Sequence, residues 1–200
     1  MSDPSQKDSG ENSEHPGLGL PGASRRALVE EIVRVDHAGE YGAVRIYEGQ
    51  LAVFRHLKHK SGIARSLRHM KKEEEVHLGR FSEIVNERRV RPTALIPFWH
   101  VAGYAMGAAT ALMGEKAAHA CTAAVEEVID QHYRDQRKRL AALGADEQPL
   151  SDTIEAFRLE EVAHKEAALA SGAEEAPGYR LLSAAIRTAC RIAIKTSEKI

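Results

Sequence analysis

The sequence is poor in aromatic residues and in cysteine, and it carries no surplus of either charge. Phe, Trp and Tyr make up 5% of the 200 residues, and the formal net charge is −1. This near-neutral balance argues against nucleic acid as a partner, because phosphate binding draws on a basic surplus. The two cysteines, Cys121 and Cys190, are too few for a four-cysteine metal site. Their wide spacing predicts free thiols in a reducing compartment.

A long uninterrupted apolar run is also missing. The nearest candidate, residues 93–114, has no acidic or basic residue other than His100, but Pro97 and several glycines interrupt it. A membrane-spanning helix needs about 20 consecutive apolar residues. Two interpretations stay open: an interfacial or re-entrant segment with Trp99 near the lipid headgroups, or a connector helix buried against the rest of the fold.

The N-terminal stretch, residues 1–23, is polar and rich in Ser, Gly and Pro, which predicts a disordered tail. This stretch has no apolar core, so it does not resemble a secretory signal, and its acidic residues are untypical of a transit peptide. Residues 24–200 are long enough for one domain with a sizeable core. The chain is expected to be a bacterial cytosolic protein or an already processed organellar one.

Apolar residues recur with helical spacing in a chain rich in Ala, Leu, Glu and Arg, which predicts an all-α fold. Ser24 is expected to cap the first helix. The predicted helices span residues 25–59, 63–88, 115–143, 150–171 and 179–197, with the apolar crossover at 93–114. The last helix interleaves basic and apolar residues, which suits either an anionic membrane surface or a cover over the bundle.

Two of these helices carry polar residues on their apolar stripes. Glu74 and His77 are three residues apart, so they share one face of the second helix and lie in line with Met70. Glu161 and His164 repeat this pattern on the fourth. Burying charged groups there is costly unless something compensates, and a metal ion is a strong compensator.

Each of these helices follows one with a single Glu on its stripe. Glu40 precedes Tyr47 by seven residues, and Glu126 precedes Tyr133 by seven. One Glu from each of two helices and Glu-x-x-His from each of two others is the inventory of dimetal carboxylate bundles. Four carboxylates neutralise two divalent cations, and oxygen with imidazole suits iron or manganese. Chance placement in a Glu-rich chain is the alternative. The predicted metal ligands are Glu40, Glu74, His77, Glu126, Glu161 and His164.

Glu40 and Glu74, the two candidate glutamates of the first half, lie at unequal distances from the predicted turn between their helices. Glu40 lies about six helical turns before Ser61, whereas Glu74 lies only about three turns after Gly62, where a turn of the chain is predicted. An antiparallel pair of helices brings two residues to one height only when these distances match. Levelling therefore requires an irregularity in the first helix or in its turn.

Other polar residues near these positions have weaker claims. Asp36 lies one turn before Glu40 and could hydrogen-bond the free nitrogen of a ligand histidine, or else pair with a buried Arg. Tyr47 and Tyr133 are candidate donors to the ligands or ordinary core aromatics. The remaining polar neighbours are expected to be structural or solvated: His37, His119, His132, Glu73, Glu75, Glu127 and Glu160.

Three segments resemble the demethoxyubiquinone hydroxylase family: RVDHAGEYGAVRIYEGQ at 34–50, ACTAAVEEVIDQHYRDQ at 120–136 and FRLEEVAHKEAAL at 157–169. The likeness covers residues 25–200. It implies a ferritin-like four-helix bundle with an apolar crossover and an extra C-terminal helix. By motif, two iron ions would share Glu74 and Glu161 as bridging carboxylates. The other ligands would be Glu40, Glu126, His77 and His164.

The resemblance also implies a reaction with O2 that hydroxylates the ring of 2-polyprenyl-3-methyl-6-methoxy-1,4-benzoquinol during ubiquinone biosynthesis. The electron donor is external and unspecified. Because the polyprenyl tail stays in the bilayer, the protein is expected to bind peripherally to the cytoplasmic side of a bacterial cell membrane, with a quinone-biosynthesis protein complex as a further expectation. Iron storage or detoxification of the ferritin or rubrerythrin kind is the main alternative. Hydroxylation of a tRNA base and a non-catalytic scaffold role are the others.

Overall fold

The computed structural model describes residues 22–199, and this part of the chain contains six α-helices and no strand, as predicted. The helices are α1 (Gly22–Phe54), α2 (Ser61–Arg88), α3 (Ile96–Leu112), α4 (Glu115–Ala141), α5 (Gln148–Ala170) and α6 (Tyr179–Ser197). Residues 1–21 of the predicted disordered tail lie outside the described residues. Since α1 already begins at Gly22, Ser24 lies inside the helix, and the prediction that it caps α1 is wrong.

The helices α1 and α2 form one antiparallel pair, and α4 and α5 form the other. Phe54 is the last buried residue on the stripe of α1, and Leu57 beyond it is exposed, so α1 ends at Phe54 rather than at the predicted residue 59. Glu40 therefore lies about four helical turns before the end of α1, and Glu74 lies about four turns after the start of α2 at Ser61. The early end of α1 is the irregularity that brings both glutamates to one level.

Two apolar clusters occupy opposite ends of the bundle and leave its middle to polar residues. One cluster joins the start of α1 to the last turns of α2 and α4, and includes Val33, Phe81 and Leu140. The other joins the end of α1 to the start of α2, and includes Phe54 and Leu67. Buried apolar surface contributes about 25 cal/mol per Å². The clusters therefore stabilise the helix pairs on both sides of the polar layer.

The crossover helix α3 lies along α1 with its glycines against the α1 backbone. A Cβ atom at Gly107 would lie 1.9 Å from the carbonyl oxygen of Ile46, and one at Gly103 would lie 2.9 Å from that of Gly42. No larger residue fits at this separation, since even the alanine Cβ would overlap a backbone atom. The glycines that interrupt the apolar run are therefore the residues that let α3 pack.

The opposite face of α3 is apolar and points away from the bundle, where Phe98, Val101 and Leu112 are exposed. Trp99 is half-buried, and its Nε1 donates a hydrogen bond of 3.1 Å to Oγ of Ser197, which ties α3 to α6. No helix between residues 22 and 199 is long and apolar enough to cross a membrane. The structure thus supports a connector helix that packs on α1, with apolar residues exposed on its other side, and the interfacial interpretation stays a prediction.

The C-terminal helix α6 is the extra helix that the sequence predicts. Its Ile186 packs against Cys121, Ala124 and Val125 of α4. Both cysteines are free thiols, as predicted, with Cys121 buried and Cys190 partly buried. Beyond this contact, α6 faces α3 across a groove.

Candidate metal centre

The six predicted ligands converge in the middle of the bundle. All six side chains belong to residues that are 5% exposed or less. Glu40 comes from α1 and Glu126 from α4, while α2 provides Glu74 and His77 and α5 provides Glu161 and His164. Each lies where the apolar stripe of its helix crosses the centre, so the group is enclosed by protein.

The six residues form two overlapping quartets that could each hold a metal ion. One quartet is Glu40, Glu74, His77 and Glu161, the other is Glu74, Glu126, Glu161 and His164, and the ligand atoms within each lie within 4.8 Å of one another. Glu161 contacts Nδ1 of His77 through Oε1 at 3.1 Å and Nδ1 of His164 through Oε2 at 3.2 Å. Because Glu74 and Glu161 belong to both quartets, the geometry suits two adjacent ions.

Each histidine turns one nitrogen inward and the other outward. Nε2 of His77 lies 3.0 Å from Glu160, and Nε2 of His164 lies 2.9 Å from Glu73. A metal-bound imidazole normally donates its free N–H to such an acceptor. The prediction that Glu73 and Glu160 are merely solvated is therefore wrong. Each lies about 100° around its helix from the adjacent ligand glutamate, where it reaches the histidine of the other helix.

Two tyrosines reach across the bundle to the single glutamates. Tyr47 of α1 donates from its hydroxyl to Oε1 of Glu126 on α4 at 3.2 Å, and Tyr133 of α4 donates to Glu40 on α1. Burial and the adjacent carboxylates raise the pKa of both phenols well above the usual value, so both keep their protons. Of the two alternatives for these residues, the structure supports hydrogen-bond donors to the candidate ligands.

The four carboxylates cannot all be ionised without compensating charge. Burial and the charges of Glu161 and Glu40 raise the pKa of Glu74 well above its usual value, and neither of its carboxylate oxygens has a hydrogen-bond partner among residues 22–199. Burial opposes charge on the histidines, but Glu161 and its neighbours raise the pKa of His77 to about 11 and that of His164 to about 9. Without metal ions, protons bound to these side chains would supply the positive charge that balances the carboxylates. Two divalent ions could supply that charge instead, so the donor set fits them.

Asp36 reaches neither candidate ligand histidine, which corrects the prediction of its partner. Its Oδ1 accepts a hydrogen bond of 2.6 Å from Nε2 of Gln136, and Nε2 of His132 lies 3.8 Å away. No Arg pairs with it within residues 22–199. The reason is that Asp36 faces α4, whereas both ligand histidines lie on α2 and α5. His37, His119 and His132 belong to neither quartet, as predicted.

An apolar cavity of about 360 Å³, here called the apolar channel, lies between α1, α3, α4 and α6. Phe98 and Ile192 line it while being 61% and 60% exposed, so its outer end opens between α3 and α6. A smaller cavity of about 30 Å³ lies against the ligand glutamates. The residues that line both cavities are Val35, Gly39, Ala43, Val125, Ile129 and Ile194. The channel therefore ends beside the candidate metal centre.

Two antiparallel helix pairs that enclose four carboxylates and two imidazoles define the class of dimetal carboxylate helical bundles. The sequence profile of one protein family, described as "Ubiquinone biosynthesis protein COQ7", matches residues 27–197. The chain belongs to this COQ7 family, which confirms the resemblance. It is an enzyme, a hydroxylating monooxygenase, as predicted.

Similar proteins occur in bacteria and in mitochondria. The "3-demethoxyubiquinol 3-hydroxylase" of Rhodospirillum rubrum is 54% identical over 182 residues, which cover 90% of this chain and 83% of the relative. The human "NADPH-dependent 3-demethoxyubiquinone 3-hydroxylase, mitochondrial" is 44% identical over 185 residues, covering 92% and 83%. The "5-demethoxyubiquinone hydroxylase, mitochondrial" of Saccharomyces cerevisiae is 37% identical over 190 residues, covering 88% and 80%.

Proposed function

We propose that this enzyme hydroxylates the ring of a demethoxyubiquinol, 2-polyprenyl-3-methyl-6-methoxy-1,4-benzoquinol, with O2 and two iron ions held by the six buried residues. The observation that carries the proposal is the apolar channel that ends at two overlapping ligand quartets. The relatives named as demethoxyubiquinol or demethoxyubiquinone hydroxylases support the same substrate class. Iron storage, the main alternative, gives the channel no role.

The chain's own residues divide the work of holding the ions. Glu74 and Glu161 belong to both quartets and would bridge the two ions, while Glu40 and Glu126 would each bind one. The histidines would bind through Nδ1, the nitrogen that faces the carboxylates. Bound iron supplies the reductive activation of O2 that ring hydroxylation needs.

The apolar channel suits a prenylated quinol. Gly39 and Ala43 of α1 form its inner end together with Val125 and Ile129 of α4, and these small or aliphatic side chains leave space for a flat ring beside the candidate centre. An isoprenoid tail would then follow the channel and leave between α3 and α6. Burial of apolar ligand surface in such a channel favours binding without any charged group.

We also propose that the outer end of the channel docks on a membrane. Phe98 is exposed at this opening on α3. Arg191 and Lys195 of α6, together with Lys199 just after it, line a surface groove that also contains Ile192, and none of the three forms an ion pair within residues 22–199. Exposed apolar side chains beside basic ones suit the interface of an anionic bilayer, where a polyprenyl tail resides.

The hydroxylation is tested with purified protein that has been loaded with Fe(II) and supplied with a reductant, O2 and a short-chain demethoxyubiquinol. Mass spectrometry should detect the hydroxylated ring with the wild type and with Glu166→Ala, an exposed change on the same helix as the ligands. Glu161→Ala should form no product, because it removes a carboxylate shared by both quartets. If the wild type and both variants take up iron but form no hydroxylated product, iron storage would be favoured instead.

The docking surface is tested with liposomes of zwitterionic lipid, with and without anionic lipid. Trp99 is the single tryptophan, and it lines the channel, so its fluorescence should change on docking, and more strongly with anionic lipid. Phe98→Asp should weaken binding, whereas Val76→Asp, which alters an equally exposed apolar residue on α2, should not. Unchanged Trp99 fluorescence with every liposome would refute the docking surface.

A further inference from the structure

The proposed hydroxylation consumes protons in a place that is closed to water. Converting a ring C–H and O2 into C–OH and H2O takes up two protons, together with two electrons from an external reductant. The candidate ligands are buried, and the lining of the apolar channel offers almost no polar group to carry a proton. A bound substrate would also fill that channel. The reaction therefore needs a separate polar route to solvent.

We propose that Asp36 and His132 form the proton inlet of the candidate metal centre, with Asp36 delivering protons and His132 recharging it from solvent. The inference rests on the proposed function. Both residues line the small cavity of about 30 Å³, together with Glu40 and Tyr133. A cavity of this size has room for one water molecule in contact with several polar groups.

Asp36 has the geometry of an internal acid. It is buried, and its Oδ1 accepts the N–H of Gln136, whereas its Oδ2 has no hydrogen-bond partner among residues 22–199. Burial and the charge of Glu40 raise the pKa of Asp36 well above its usual value, although Gln136 opposes the shift. The carboxyl group is thereby held in its protonated form, with Oδ2 left to donate the proton.

His132 connects Asp36 with solvent. Its side chain is 15% exposed, and its Nε2 lies 3.8 Å from Oδ1 of Asp36 and 2.8 Å from Nε2 of Gln136. Burial and Arg139 lower the pKa of His132 to about 4, so the ring is neutral near pH 7, and its unprotonated nitrogen is Nε2, which accepts an N–H of Gln136. The charged groups that act on this ring are Arg139, Asp135 and Glu31.

Each proton reaches the centre through a sequence of transfers in which every bond that breaks is matched by one that forms. The O–H bond at Oδ2 of Asp36 breaks, and the proton passes into the small cavity beside Glu40. Nε2 of the neutral His132 ring takes a proton from solvent, and after a ring movement that shortens the separation of 3.8 Å the imidazolium gives this proton to Oδ1 of the Asp36 carboxylate. The ring is then neutral again with its other N–H unchanged, and rotation of the Asp36 carboxyl group turns the new proton toward the small cavity. Two deliveries supply both protons of the reaction.

The internal repeat does not duplicate this pair, because neither residue has a like counterpart in the other half of the bundle. Corresponding residues of the two halves are 86 positions apart, as in Glu40 with Glu126, Tyr47 with Tyr133 and Gln50 with Gln136. At the same offset, Asp36 corresponds to Thr122, and His132 corresponds to Ile46. The two residues that can carry a proton are thus departures from the repeat, and both lie where the halves enclose the small cavity.

The inlet is tested in the iron-loaded enzyme with Asp36→Asn and His132→Ala. Asp36→Asn keeps the side chain's size and its accepting oxygen but removes the acid, so turnover should fall about 10²-fold with unchanged iron content. His132→Ala should also slow turnover, and imidazole added to the buffer should restore it. The matched control is His37→Gln, a histidine beside Asp36 that lines neither cavity, and it should leave turnover unchanged.

Infrared spectroscopy provides a readout independent of turnover. Metal binding ionises the ligand carboxylates, so the loaded wild type should retain a carboxylic-acid C=O band that Asp36→Asn removes. Any one of three results overturns the inlet. They are absence of this band, normal turnover of Asp36→Asn, and failure of imidazole to restore the turnover of His132→Ala. These outcomes are distinct from failure of the proposed function, in which the wild type itself forms no hydroxylated product.

Discussion

Replacing the outer carboxylates Glu73 and Glu160 should weaken metal binding unequally. Each lies about 3 Å from Nε2 of a candidate ligand histidine, at 2.9 Å for His164 and 3.0 Å for His77. Loss of such a partner costs about 10–100-fold in metal affinity, because the ring orientation is no longer held. This factor corresponds to roughly 1.4–2.7 kcal/mol at 1.36 kcal/mol per tenfold.

The inequality arises from Phe157. Its ring stacks on His77 with centroids 4.0 Å apart and an interplanar angle of 26°, whereas no aromatic ring within residues 22–199 stacks on His164. An aromatic contact of this kind contributes about 0.5–1.5 kcal/mol and keeps His77 in place without its carboxylate. We therefore expect Glu73→Ala to approach the upper end of the range, at about 100-fold, and Glu160→Ala the lower end, at about tenfold.

The assay is a stepwise titration of metal-free protein with Fe(II) under anaerobic conditions, in competition with a chelator. Glu75→Ala serves as the control, because Glu75 is exposed and, among residues 22–199, forms its ion pair with Lys71 alone. Replacement of Glu73 or Glu160 with Gln should lie between wild type and Ala, since an amide oxygen still accepts a hydrogen bond. Equal affinities in all variants, or an equal loss in Glu75→Ala, would refute the reasoning.

Two further predictions concern packing and protonation. Gly107→Ala should lower the free energy of unfolding by about 3 kcal/mol, the upper end of the usual cost of overpacking, because its Cβ would overlap the carbonyl oxygen of Ile46. Gly79→Ala, in open space on α2, should raise it by about 0.5–1 kcal/mol. Equal melting temperatures would contradict both. Loading metal at pH 7 should release at least two protons, because the raised pKa values of His77 and His164 keep both rings protonated beforehand. Apparent affinity should therefore rise with pH, and calorimetry in buffers of different ionisation enthalpy measures the release. A heat that is independent of the buffer would count against it.

The residues of the candidate centre could be predicted from the local pattern of apolar and polar residues in the sequence. Glu74 and His77 stand out because the periodicity of a single helix decides which side chains face the core, whatever the helix packs against. The same reasoning separates Glu74 from its neighbours Glu73 and Glu75. Two such pairs, each preceded by a helix with one core Glu, were enough to predict that all six groups meet.

The contacts that support the centre could not be predicted in this way. Glu73 and Glu160 lie off the stripes of their own helices, and their role depends on the rotation of α2 relative to α5. The partner of Asp36 depends in the same way on which helix α1 faces at that level. Local periodicity carries no information on the rotation between two helices, so sequence reasoning assigned all three residues incorrectly.

The sequence by itself determined the helical class, the two halves, the C-terminal helix and the six buried polar residues, because each follows from spacing within one segment. Only the tertiary structure decided where α1 ends, how closely α3 approaches α1, and that a channel between α3 and α6 ends beside the centre. These features depend on distances and rotations between segments far apart in the chain. The arrangement of Asp36, Gln136 and His132 is of the same kind.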